Sequence, residues 1–155
     1  MSGLPDIEDI EFLPNPVAGS GLAELTSVSW FYPEHDNDHD EPAADIIVET
    51  DSGAKNVRRV CLRFWNARFL SFDPYASWFV SDISKALNGS GTGANIRLAK
   101  SEASSLLSWW RSRKSATDNK VLSFDCHHYI VADGTSIANV LAFGPPEIIE
   151  PSYAH

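Results

Sequence analysis

Cysteine is scarce in this chain. Cys61 and Cys126 are the only two among 155 residues, too few and too widely spaced for a disulfide framework or a C-x-x-C metal knuckle, so both read as free, buried thiols. No run approaches the roughly 18 consecutive apolar residues that a membrane span requires. The opening Met1-Ser2-Gly3-Leu4-Pro5-Asp6-Ile7-Glu8 is acidic where a secretory signal would be basic and then apolar. These absences predict a cytoplasmic protein that does not engage a membrane. The third absence is positive charge: residues 1–54 contain thirteen carboxylates and no Lys or Arg, and the first basic residue is Lys55. The remainder holds twelve basic against eight acidic side chains, so a net charge of −9 conceals an acidic half and a mildly basic one. A chain so divided repels phosphate and attracts basic surfaces, which argues against non-specific binding of nucleic acid.

What is present is apolar and aromatic. Hydrophobic residues make up 43% of the chain, with five Trp, eight Phe and four Tyr, enough to build one core at a length typical of one domain. Residues 1–26, with Pro5, Pro14, Pro16, Gly19 and Gly21 among acids and single apolar residues, read as a loosely structured acidic arm with one short strand at Ile7–Leu13. Residues 27–155 form the expected single domain. Ser27–Tyr32 is β-branched and aromatic and ends at Pro33, as a strand would. Ala44–Thr50 and Val57–Trp65 flank Asp51-Ser52-Gly53 and predict a hairpin. Within it Val60, Leu62 and Phe64 share one face and Arg59, Cys61 and Arg63 the other, a sheet with one wet side.

Asn66-Ala67 turns the chain into a further strand at Arg68–Phe72. The segment after Asp73-Pro74 reads as a helical turn leading to strand at Trp78–Ile83, followed by the flexible loop Gly89–Gly93 and a strand resuming at Asn95–Leu98. Ala103, Leu106, Leu107 and Trp110 fall at helical spacing, with Ser101 as the expected cap and Arg111, Arg113 and Lys114 at the negative end of the dipole. Val121–Ala132 and Thr135–Phe143 flank Asp133-Gly134, the signature of a tight hairpin. The expected fold is α+β: a single, largely antiparallel sheet of about six to eight strands with one amphipathic helix packed on it.

Several patterns resemble reactive sites and lack an essential member. Asp36-Asn37-Asp38-His39-Asp40 opens like a calcium loop, but Glu41 stands where the glycine belongs and Ile47 where the bidentate glutamate belongs. Cys126 and His128 would share one strand face with Leu122, Phe124, Ile130 and Ala132, which reads as core, while His127 points the other way with Asp125 and Tyr129. No metal and no cofactor are expected from these residues. Asp125 could orient His127 as a base, yet no nucleophile signature accompanies it. The Gly89–Gly93 loop lacks the Lys-Ser/Thr of a phosphate loop. Arg58, Arg59, Arg63 and Arg68 form a basic cluster suited to pairing with the protein's own acids.

Cys61–Phe72, Val80-Ser81-Asp82-Ile83 and Phe124–Gly134 together resemble small acidic bacterial proteins of the immunity type, which accompany polymorphic toxin systems. The resemblance implies an acidic, cytoplasmic, non-catalytic protein that masks a toxin, and it carries over no functional residue. The reading that follows is a non-enzymatic protein-binding module with a basic protein partner. Trp30, Tyr32, Glu34, Asp36, Asp38, Asp40 and Glu41 are the expected partner-binding residues, because aromatics anchor interfaces and charges steer the approach. The alternatives are a small metal-dependent or hydrolytic enzyme built on Asp125, His127 and His128, and a nucleic-acid mimic whose carboxylates imitate phosphate spacing.

Overall fold

The structure, a computed structural model, describes residues 7–13, 22–32, 42–51, 57–73, 97–115, 126–133 and 136–150. Among them are β1 (Ile7–Phe12), β2 (Leu22–Phe31), β3 (Ala43–Asp51), β4 (Val57–Trp65), β5 (Phe69–Asp73), β6 (Arg97–Ser104), α1 (Ser105–Ser115), β7 (His127–Ala132), β8 (Ile137–Ala142) and β9 (Glu147–Ile149). The strands form two antiparallel sheets, in the order β1-β6-β7-β8-β5 and β2-β3-β4-β9. The fold is therefore α+β and mostly antiparallel, but with two sheets where one was expected. A sheet with one apolar face must bury it, and a second such sheet is an efficient cover. Val60, Leu62 and Phe64 of β4 meet Tyr129 and Val131 of β7 and Ala138, Val140 and Ala142 of β8 in the shared core. Burying each large side chain contributes about 1.5–3 kcal/mol.

The β3–β4 hairpin follows its alternation closely. Asp51 opposes Val57, Asp45 opposes Arg63 and Ala43 opposes Trp65. Beyond Trp65 the chain leaves one sheet for the other. Asn66 takes a positive φ of 56°, a conformation that asparagine tolerates better than most residues. The corner is tied to both sheets: Ala67 N–H donates to Pro42 O at 3.0 Å and Arg68 N–H to Leu141 O at 2.7 Å. A second tie joins Leu25 N–H to Asp133 Oδ2 at 2.8 Å.

Elsewhere the structure departs from the expectations. The 26/27 boundary of the proposed arm falls inside β2, which begins at Leu22 because Leu22 to Leu25 pair with Asp51 to Val48 of β3. The short strand expected at Ile7–Leu13 is β1, paired with β6. β6 runs through Ser101 to Ser104, so the helix starts later than its periodicity implied and Ala103 belongs to a strand. The cap is Ser104, whose Oγ accepts Leu107 N–H at 3.1 Å, whereas Ser101 Oγ accepts Ala103 N–H at 3.2 Å. Leu107 then packs with Cys126 and Leu141 on the far side of the five-stranded sheet.

At the last hairpin Ala132 opposes Ile137, and Asp133 closes the turn with N–H to Ser136 O at 3.0 Å. Asp133 was expected at a central turn position; it is instead a buried flanking residue, and residues 134–135 lie outside those described. The expectations for 74–96 and 121–125 also fall outside them. Among the described residues no helix is long and apolar enough to cross a membrane.

Candidate binding surface

β2 is an edge strand, bonded to β3 alone among the described strands. Its end presents two aromatics: Trp30 is 41% exposed and Tyr32 is 61% exposed. Neither joins the core, although Trp30 stands opposite the fully buried Ala44. The five acids expected to act with them, Glu34, Asp36, Asp38, Asp40 and Glu41, follow directly in sequence and lie outside the described residues.

Phe31 projects to the opposite side from Trp30, onto the outer face of the four-stranded sheet. There the Arg63 guanidinium sits 5.0 Å from the Phe31 ring centre and 5.3 Å from that of Trp65. Asp45 grips it from the neighbouring strand, with Nε–Oδ1 at 2.8 Å and Nη2–Oδ2 at 2.9 Å. This two-pronged geometry is the strongest form of the pair. Trp65 is fixed in turn by donating its indole N–H to Glu147 Oε1 at 2.9 Å. Arg59 reaches Glu49 at 2.6 Å, but the arginine is exposed and the contact adds little stability. Arg59 and Arg63 do pair with acids of the first half, on β3. Arg68 lies 5.1 Å over the Phe143 ring. Cys61 lies on the same outer face, and burial, reinforced by Asp45, pushes its thiol up to about 12. Cys126 is pushed up to about 11 chiefly by burial. Both are unreactive thiols at neutral pH.

The two histidines stand on opposite faces of β7, as alternation requires. Cys126, His128, Ile130 and Ala132 are buried, as expected of their shared face, which is the side that carries α1; the other face is covered as well, because Tyr129 and Val131 line the core between the sheets. Residues 128–132 are all buried, so the strand has no wet face for the pattern to reveal. His127 is hydrogen-bonded through Nδ1 to Glu102. Glu102 also lies 3.8 Å from Lys100 and 4.0 Å from Arg111. Asp125 lies outside the described residues.

His128 is held in a buried polar row whose other members the sequence did not suggest. Nε2–H donates to Asn139 Oδ1 at 2.7 Å, and Nδ1 accepts from the Ser104 hydroxyl at 2.9 Å. Asn139 Nδ2 donates onward to Ser71 Oγ at 3.4 Å. These partners assign the neutral Nε2–H tautomer. Burial drives the imidazole pKa down to about 4, against a smaller upward pull from Asn139. Serine, histidine and asparagine in series suggest hydrolytic machinery, but Ser104, His128 and Asn139 are all buried and the serine oxygen already caps α1. The row fastens helix to sheet.

No family model, curated protein or solved structure matches the chain. Among the described residues no group of three or more His, Cys, Asp or Glu side chains is placed to hold a metal ion. The register alone reveals the pairs on β3 and β4: once the turn is centred between Asp51 and Val57, Asp45 must face Arg63 and Glu49 must face Arg59. The stacking of Phe31 on Arg63 needs the third strand and has no local sequence signal.

Proposed function

We propose that this chain is a non-enzymatic binding module whose acidic first half receives a basic protein, in the cytoplasm and in the manner of an immunity protein masking a toxin. The observation that carries the reading is the exposure of Trp30 and Tyr32 at the end of β2, directly before five carboxylates within Glu34–Glu41. Exposed aromatic anchors beside unbalanced charge are the composition of a protein interface. Asp45 and Glu49 already have arginine partners on β4, so the attraction for an outside cation falls to the acids that follow Tyr32. The hydrolytic alternative draws no support from His128, whose ring nitrogens are both engaged in a buried network.

The reading is tested by capture from a cell extract with three immobilised proteins: the native chain, Trp30→Ala with Tyr32→Ala, and a form with Asp36, Asp38, Asp40 and Glu41 replaced by their amides. The expected result is a basic protein retained by the native chain and lost from both variants. Equal retention by all three would contradict the reading.

A further inference from the structure

Of the four edge strands among the described residues, β2 is the longest at 10 residues, against 6, 5 and 3 for β1, β5 and β9. An edge strand presents backbone N–H and C=O groups that pair readily with another chain, and proteins usually blunt it with lysine, proline or a bulge. β2 contains neither lysine nor proline. Its first half is protected, because the ladder slips between Leu25 and Ser27 and Asp133 takes the Leu25 N–H. No such device occurs in Ser27-Val28-Ser29-Trp30-Phe31.

Side-chain burial shows that this margin is open. Glu24, Thr26, Ser27, Ser29 and Trp30 are exposed although they fall on both faces of the strand. Trp30 is the telling member: it lies on the same face as Ala44 and Phe64, both completely buried, yet remains 41% exposed. Among the described residues no strand lies beyond β2 to cover it.

We propose that Ser27–Phe31 accepts an extended, cationic segment of the partner as an added strand, with one flank of that segment covering Trp30. The inference rests on the basic-partner reading above and specifies how the partner is held. Charge selects the occupant. A second copy paired edge to edge would bring together two halves that each hold thirteen carboxylates and no Lys or Arg, whereas a lysine-bearing strand would meet the exposed Glu24 and a half of the chain with no cation of its own. Main-chain bonds supply the hold in strand addition, and alternate side chains supply selectivity.

The probe is a short peptide of alternating lysine and valine, compared with the same peptide methylated at every backbone nitrogen. Methylation preserves charge and side chains and removes the N–H donors. Titration into the full chain, followed by amide NMR, should shift Ser27–Phe31, and the methylated peptide should bind roughly tenfold more weakly or worse, the loss expected from one or two main-chain bonds. Equal affinity for both peptides would overturn strand addition and leave the basic-partner reading standing. Binding of neither would also overturn it, with the basic-partner reading then judged by the capture experiment alone. Concentration-dependent self-association that shifts the same amides without peptide would assign the edge to a second copy and overturn the proposal.

Discussion

Acidification should destabilise this protein through a single imidazole. His128 is buried, neutral and hydrogen-bonded at both nitrogens, and its pKa lies near 4 instead of the ordinary 6.5. The unfolded chain therefore takes up this proton first. The stabilising contribution of the neutral ring is complete above pH 6.5, declines as the pH falls towards 4, and does not change further below that. A depression of this size corresponds to about 3 kcal/mol at ~1.4 kcal/mol per pH unit, a large fraction of a typical folding free energy of ~5–15 kcal/mol. Urea midpoints measured at intervals from pH 7.5 to 4 would follow the loss. The informative quantity is the difference between the native chain and His128→Gln, which isolates this ring from every other source of pH dependence. That difference should shrink by about 3 kcal/mol as the pH falls from 6.5 to 4. A difference independent of pH would show that the ring is not buried in its neutral form, and the assignment of the polar row would fail.

Three further outcomes follow from the same geometry. Ser104→Ala removes both the cap of α1 and a partner of the His128 ring, and should cost about 1–3 kcal/mol by chemical denaturation; Ser104→Thr should recover much of this, and an unchanged midpoint in the alanine variant would refute the cap. Asp133→Ala leaves the Leu25 and Ser136 N–H groups without their acceptor and should cost about 2 kcal/mol or more, again read from the urea midpoint, with no change refuting the tie between sheets. Cys61 and Cys126, with thiols pushed up to about 12 and about 11, should resist a thiol-specific reagent at pH 8 until urea is added; labelling of the folded protein at the rate of free cysteine would refute their burial.

The parts of the fold legible in the sequence are those set by local pattern. Val57–Trp65 alternates cleanly, and its bounds and buried face emerge as read. The other features depend on partners remote in sequence. Ser101 and Ser104 are chemically equivalent caps, and the choice between them is made by β6, which remains paired with β1 as far as Ser104. The first half of β2 lies just beyond a glycine-rich stretch and is strand because β3 lies beside it. Three residues of β9 after Pro145-Pro146 carry no pattern long enough to read, yet they cover the margin of β4. For His128 the alternation and the burial of its face were legible, whereas the burial of Tyr129 and Val131 on the other face was not, since it depends on the second sheet. Of the residues proposed for binding, Trp30 and Tyr32 are exposed, and the edge position of the strand that carries Trp30 becomes visible only once the sheet order is known.

Electrostatic steering by the acidic half is the central property proposed for this chain. The decisive measurement is the association rate between this chain and the basic protein proposed as its partner, taken across a salt series for the native chain and for the form with Asp36, Asp38, Asp40 and Glu41 replaced by amides. The field of these four carboxylates extends about a Debye length, ~10 Å at 0.1 M salt, so the native rate should fall steeply with salt and the variant should be slower and nearly insensitive to it. Trp30→Ala should instead leave association largely unchanged and accelerate dissociation. An association rate indifferent both to salt and to the four substitutions would contradict the central claim.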